Sequence, residues 1–178
     1  MTPRLTLAFL STMARVPIAL KMAAMQGLAT EFEEDITGYW LKHSNNHDDA
    51  IIAIYQNADA YDGRIVKLAN PIFIEGEGAL GAVPATVIGK NKTDVFHPDP
   101  LLRSRPLEGM RIIAGFRPAQ YHEWSGAYIY SPDEGRTYQC KARLSDDGRS
   151  LQIQTYRGKS APVATQTWTR LRSSNWPV

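Results

Sequence analysis

The chain holds a single cysteine, Cys140, among its 178 residues, so neither an internal disulfide nor a cysteine-based zinc site can form within it. No acidic residue precedes Glu31, no apolar run is long enough to span a bilayer as a helix, and no helical period is sustained beyond residue 36. Short catalytic signatures are also missing: there is no nucleophile elbow, no phosphate-cradling glycine loop and no helix with paired histidines. What is present, 43% hydrophobic and 21% charged residues with 13 Gly and 11 Pro, describes one ordinary globular domain.

The formal net charge of +2 hides a gradient. Residues 1–29 carry Arg4, Arg15 and Lys21, and without them 17 basic residues stand against 18 acidic ones. A near-neutral domain lacks the basic excess that phosphate backbones demand, so nucleic acid is not an expected partner. The N-terminal segment pairs its positive charge with the apolar run Leu5–Leu10 and small residues at Gly27 and Ala29. That pattern predicts a signal peptide over 1–29, followed by a domain over 30–178 and a periplasmic or secreted location. An organelle transit peptide and an amphipathic helix packed on the domain are the alternatives, both ranked below export.

From residue 36 onward strand and turn alternate. Strands are predicted at 36–41, 50–56, 62–68, 110–116, 124–130, 136–144, 150–156 and 164–171, rich in Ile, Val, Tyr, Trp and Thr. Turn residues separate them at Asn57-Ala58-Asp59, Ser131-Pro132-Asp133-Glu134-Gly135, Asp146-Asp147-Gly148 and Arg157-Gly158. Eight strands so spaced predict an all-β, single antiparallel up-and-down barrel, with a sandwich as the alternative. Alternation in 136–144 sets Cys140 on the apolar face with Tyr138, Ala142 and Leu144, which makes it a buried small hydrophobe rather than a nucleophile.

Two motifs bracket the predicted barrel, Gly38-Tyr39-Trp40 and Trp168-Thr169-Arg170. An aromatic on the first strand and a guanidinium on the last suit a latch across the closing seam, with the cation over the ring. Between strands three and four the connection 69–109 is long for an inert loop. Short strand pieces at Ile72–Ile74 and Thr86–Ile88, or a cover over one barrel mouth, both fit its first half.

The second half holds the densest functional cluster. Three prolines within 98–106 stiffen a segment carrying Asp94, His97, Asp99, Arg103 and Arg105. The two arginines suit a clamp for a carboxylate or phosphate, and Asp94, His97 or Asp99 suit proton transfer. The plainer reading, in which the acids cap turns and pair with the arginines, weighs more because such ion pairs are common. Tyr128, Tyr130 and Tyr138 could line a cavity wall, or simply hold strand register as cross-strand pairs. His43 and His47 have a metal-like interval but fall in a polar hairpin tip, so no metal is expected.

Taken in order, several segments resemble the bacterial family known as domain of unknown function DUF2147. They are Gly38-Tyr39-Trp40, Tyr61-Asp62-Gly63-Arg64-Ile65, Asp94 with Pro98 through Gly109, Trp124-Ser125-Gly126, Ile129 through Tyr138, and Thr165 through Arg170. The chain departs from the family pattern at His97, at Ala127 and in an apparent insertion over 70–90. The resemblance implies an exported, lipocalin-like barrel. Lipocalins pair a Gly-x-Trp on the first strand with an arginine near the end of the last, which corresponds here to Gly38, Trp40 and Arg170.

The expected function is therefore binding of a small apolar or lipid-like ligand, without catalysis or cofactor, with Arg103 and Arg105 at the mouth facing an acidic head. An envelope hydrolase using Asp94, His97 and Asp99, and a protein-interaction module with a filled barrel, are the alternatives.

Overall fold

In a computed structural model of the chain the described residues are 35–43, 49–77, 83–158 and 161–172. The expected export segment, 1–29, and His47 lie outside them. Eight strands form one closed antiparallel barrel in sequence order. They are β1 (Gly38–Lys42), β2 (Ala50–Asn57), β3 (Ala60–Leu68), β4 (Arg111–Gln120), β5 (Glu123–Ser131), β6 (Arg136–Leu144), β7 (Ser150–Tyr156) and β8 (Ala164–Leu171). The barrel, not the sandwich, is what the strand pattern encodes.

Period-two alternation builds the interior. On β6 Cys140, Ala142 and Leu144 are buried while Gln139, Lys141 and Arg143 are exposed, and on β7 Leu151 and Ile153 repeat the pattern. Burial pushes the Cys140 thiol up to about 12, so the thiolate needed for nucleophilic chemistry does not form near neutrality. Where the barrel must bend, the alternation slips by a residue. Register shifts fall between Trp124 and Ala127 on β5 and between Tyr61 and Arg64 on β3. Gly126 takes a φ of +78° inside the β5 shift, a conformation that costs a glycine little and an L residue more.

The seam pairs β1 with β8, Trp40 opposite Arg170. The Arg170 guanidinium lies 4.3 Å from the Trp40 ring centre. It donates from Nε to the Gly148 carbonyl at 2.6 Å, from Nη1 to Thr37 at 2.7 Å and from Nη2 to Asp35 at 2.6 Å. Trp40 is fully buried, with its Nε1 donating to the Ile36 carbonyl at 2.9 Å. A side chain at residue 38 would sit 3.3 Å from the guanidinium, which explains Gly38 in the Gly-x-Trp pattern. One end of the barrel is thus plugged and tied. Trp168, the fourth bracket residue, is also fully buried but lies deeper, facing the opposite end.

Candidate binding cavity at the open end

The end of the barrel away from Arg170 encloses a cavity of about 450 Å³. Its inner wall is aliphatic and aromatic: Ile52 and Ile65 from β2 and β3, Ile112 from β4, Ile129 from β5 and Trp168 from β8. The rest of the enclosure comes from the β5–β6 turn, from Tyr138, Thr155 and Arg157, from the start of β8, and from the long connection, which is not structureless. Residues 71–74 pair with 89–92 through an Ile72–Asn91 bridge and backbone bonds from Phe73 to Lys90 and from Gly89 to Phe73, at 3.0 and 2.9 Å. Residues 92–94 pair in turn with 105–107, through the Thr93–Pro106 bridge and the bond from the Asp94 amide to the Arg105 carbonyl at 2.9 Å. Of the two readings of this segment, Ile72 does add a strand bridge, while Ala85–Val87 forms a single 3-10 turn instead. Phe73 is buried against the cavity, and Ile72 and Ile74 on either side of it are exposed.

Two ion pairs hold this cover. Lys92 Nζ lies 3.0 Å from Glu77 Oε1, and both side chains are more than nine-tenths buried in the cavity wall. Asp94 is completely buried: its Oδ2 accepts from Arg105 at 2.7 Å and its Oδ1 from the Tyr130 hydroxyl at 2.6 Å. Burial and the neighbouring Asp94 carboxylate together raise the Tyr130 hydroxyl pKa well above the usual tyrosine value, so it acts as a fixed donor. Asp94 therefore pins the cover to β5.

The other residues of the Pro-rich cluster act locally. Asp99 Oδ1 accepts the Leu101 amide at 2.9 Å and so caps the 3-10 turn Pro100–Leu102. The His97 Nδ1 accepts the Asp99 amide at 3.0 Å, and Arg103 Nε donates to the His97 carbonyl at 2.8 Å. The structure brings Asp94, Arg105 and Tyr130 into contact and sets the His97 ring 5.7 Å from the Tyr130 ring. None of Asp94, His97, Asp99, Arg103 and Arg105 is among the residues lining the cavity, whereas Tyr130 and Tyr138 are. Tyr128 sits on the outer face, 52% exposed.

Tyr138 joins the rim through hydrogen bonds to Glu134 and from Arg157, whose guanidinium lies 5.5 Å from its ring centre. His43 bonds Asp49 at 3.1 Å, and among the described residues no group of three or more His, Cys, Asp or Glu is placed to hold a metal ion.

Phe73, Glu77, Lys92, Lys42 and Gln166 line the cavity and were not singled out by the sequence. For the last two a signal existed: Lys42 lies two residues past Trp40 and Gln166 two before Trp168, each on the inner parity of its strand.

A family model described as an uncharacterized protein conserved in bacteria, DUF2147, matches residues 38–170. The chain belongs to the DUF2147 family. The match begins at Gly38 and ends at Arg170, so the DUF2147 unit coincides with the barrel from latch to latch. Among solved structures it resembles the lipocalin-family protein HP1028 from the human pathogen Helicobacter pylori, at a TM-score of 0.60 and 17% identity over 79% of this chain and 85% of that one. At that identity the likeness shows the fold, and this DUF2147 protein has a lipocalin-like barrel. Among curated protein sequences none matches it. Among the described residues no helix is long and apolar enough to cross a membrane.

Proposed function

We propose that this DUF2147 protein is an exported carrier that holds a small apolar or lipid-like ligand in the barrel. The observation that carries this reading is the cavity of about 450 Å³, with Ile52, Ile65, Ile112, Ile129 and Trp168 in its inner wall. That volume falls within the range of roughly 300–1,000 Å³ typical of small-molecule sites. A filled interaction module would instead pack this space with side chains. The hydrolase reading is disfavoured because Asp94, His97 and Asp99 are engaged in fixing the loop and do not converge on the cavity. Export is supported by the acid-free, positively charged segment 1–29.

Native mass spectrometry of gently purified protein against a delipidated sample tests the reading. A mass adduct lost on delipidation, and a rise in melting temperature when a single-chain lipid is added back, are expected. A bare mass in both samples with no stabilisation by any fatty acid or fatty alcohol would sink it. N-terminal sequencing of the protein from a periplasmic fraction checks the export component, which predicts a mature chain starting near residue 30.

A further inference from the structure

Among the described residues, Lys42 is a cation of the cavity lining without an acidic partner. It closes β1 two residues after Trp40, so the alternation of the strand turns it to the same inner face, and it lines the cavity. The other two cations of the wall are engaged. Lys92 pairs with Glu77 at 3.0 Å, and Arg157 donates to the Tyr138 hydroxyl at 3.2 Å. Among the described residues no carboxylate lies within ion-pairing distance of Lys42.

A second donor stands beside it. Lys42 is opposite Trp168 across the seam, and Gln166, two residues before Trp168, is its diagonal neighbour, about 7–8 Å away between Cα atoms and within reach of long side chains. The Gln166 Oε1 accepts from Trp168 Nε1 at 3.2 Å, so the amide NH2 is the end that remains to donate. An ammonium with three donors and an amide NH2 on the same cavity lining, above an apolar wall, suit a compact anion carried on an apolar chain. Glu77, Asp133 and Glu134 lie on the same cavity lining and would repel a doubly charged phosphate.

We propose that Lys42 and Gln166 form the head-group subsite of the cavity, selecting a single-chain amphiphile with a carboxylate head whose chain lies along Ile52, Ile65 and Leu68. This assignment rests on the carrier reading above and adds to it the ligand class and the residues that choose it. It moves the acidic-head contact from Arg103 and Arg105 to the first strand.

Calorimetric titration of the delipidated full chain with dodecanoate and with dodecan-1-ol separates the two claims. The native protein is expected to bind the carboxylate about tenfold more tightly than the alcohol, the size of one charge-assisted contact. Lys42→Met is expected to bind both equally while Lys42→Arg keeps the preference, with melting temperatures close to native in each. Raising the salt concentration provides a readout that needs no variant: dodecanoate affinity falls and dodecanol affinity holds. Equal binding of the two ligands by the native protein, or a preference that survives in folded Lys42→Met, would overturn the head-group assignment and leave the carrier standing. Binding of neither ligand would overturn both.

Discussion

At the closed end Arg170 lies over the Trp40 ring and hydrogen-bonds three carbonyls, whereas at the other end Lys42, on the same face of the same strand as Trp40, meets no carboxylate among the described residues. The two cations flank one tryptophan along one inner face, yet their surroundings differ completely. The Arg170 bonds to the Asp35, Thr37 and Gly148 carbonyls fix those chain segments against the seam. The cavity wall around Lys42 instead holds a mixture of aliphatic side chains and already-paired charges. A saturated cation stabilises a fold, and an unsaturated one is available to a ligand. Position along the barrel sets what surrounds each cation.

Arg170→Ala gives the largest effect and tests the closed-end half of the contrast. Loss of the ring contact and of hydrogen bonds from a charged donor is expected to cost about 3 kcal/mol, lowering the melting temperature by roughly 6–12 °C for a domain of this size. Thermal unfolding checks it, and the dodecanoate preference of the folded fraction should be unchanged. Arg170→Lys should recover little, since a point charge cannot reach three carbonyls in the guanidinium plane. A variant that melts normally but loses ligand preference would invert the comparison.

Gly135→Ala probes the open end. Gly135 in the β5–β6 turn has a φ of +63°, and a Cβ there would collide with the Phe96 carbonyl of the cover. Relieving that contact must displace either the turn or Phe96, both of which border the cavity. A loss of about 1–3 kcal/mol is expected from the strained backbone and the shift, together with weaker binding of dodecanol and dodecanoate alike. Parallel loss for the two ligands distinguishes a deformed cavity from a damaged head-group subsite.

The smallest effect concerns acid. Asp62 on β3 is buried, which by itself raises its pKa, but hydrogen bonds from Asn57, the Gly115 amide and Arg111 outweigh that and hold the carboxyl below its usual value. Its contribution is therefore complete above the ordinary carboxylate pKa of about 3.9 and is lost as pH falls through the lower folded value, because the unfolded chain takes the proton first. Asp62→Asn should be less stable than native at pH 7, and the gap should narrow as the pH is brought down below about 4. A gap that stays constant across a urea-melt series from pH 7 to pH 3 would contradict this account.

The eight strands could be read from the sequence because alternation and turn chemistry are local. All eight predicted segments coincide with observed strands, and the largest boundary difference lies on β4, which was expected to stop at 116 and runs to Gln120. The added stretch contains Pro118. Beyond Phe116, however, β4 pairs only with β5, through Arg117–Ser125, Pro118–Trp124 and Gln120–Glu123. A proline there costs nothing on the unpaired side. The latch at Trp40 and Arg170 was legible for a similar reason, since both residues belong to regular strands whose register follows from closure.

The site was less so. The cover is assembled from short backbone pairs and from the Glu77–Lys92 contact, fifteen residues apart in a segment without period or repeat. Its inward and outward faces depend on folding back over the barrel, which no local pattern records. The Pro-rich cluster attracted attention because it concentrates charge, but its charges are occupied with its own backbone and with Asp94. Strand parity alone would have turned Lys42 and Gln166 inward.

The closing seam and the cover also set different clocks. Parting β1 from β8 breaks the Arg170 contacts and the paired positions of the seam and opens the closed sheet. The cover is held more locally, by the backbone pairs joining 71–74 to 89–92 and 92–94 to 105–107, the Lys92–Glu77 and Arg105–Asp94 ion pairs and the Tyr130–Asp94 hydrogen bond. Local openings of that kind occur at a fraction of the global unfolding free energy. A molecule that enters or leaves the cavity by that route does so without the barrel unfolding, so its release answers to the contacts that hold the cover rather than to the stability of the whole protein.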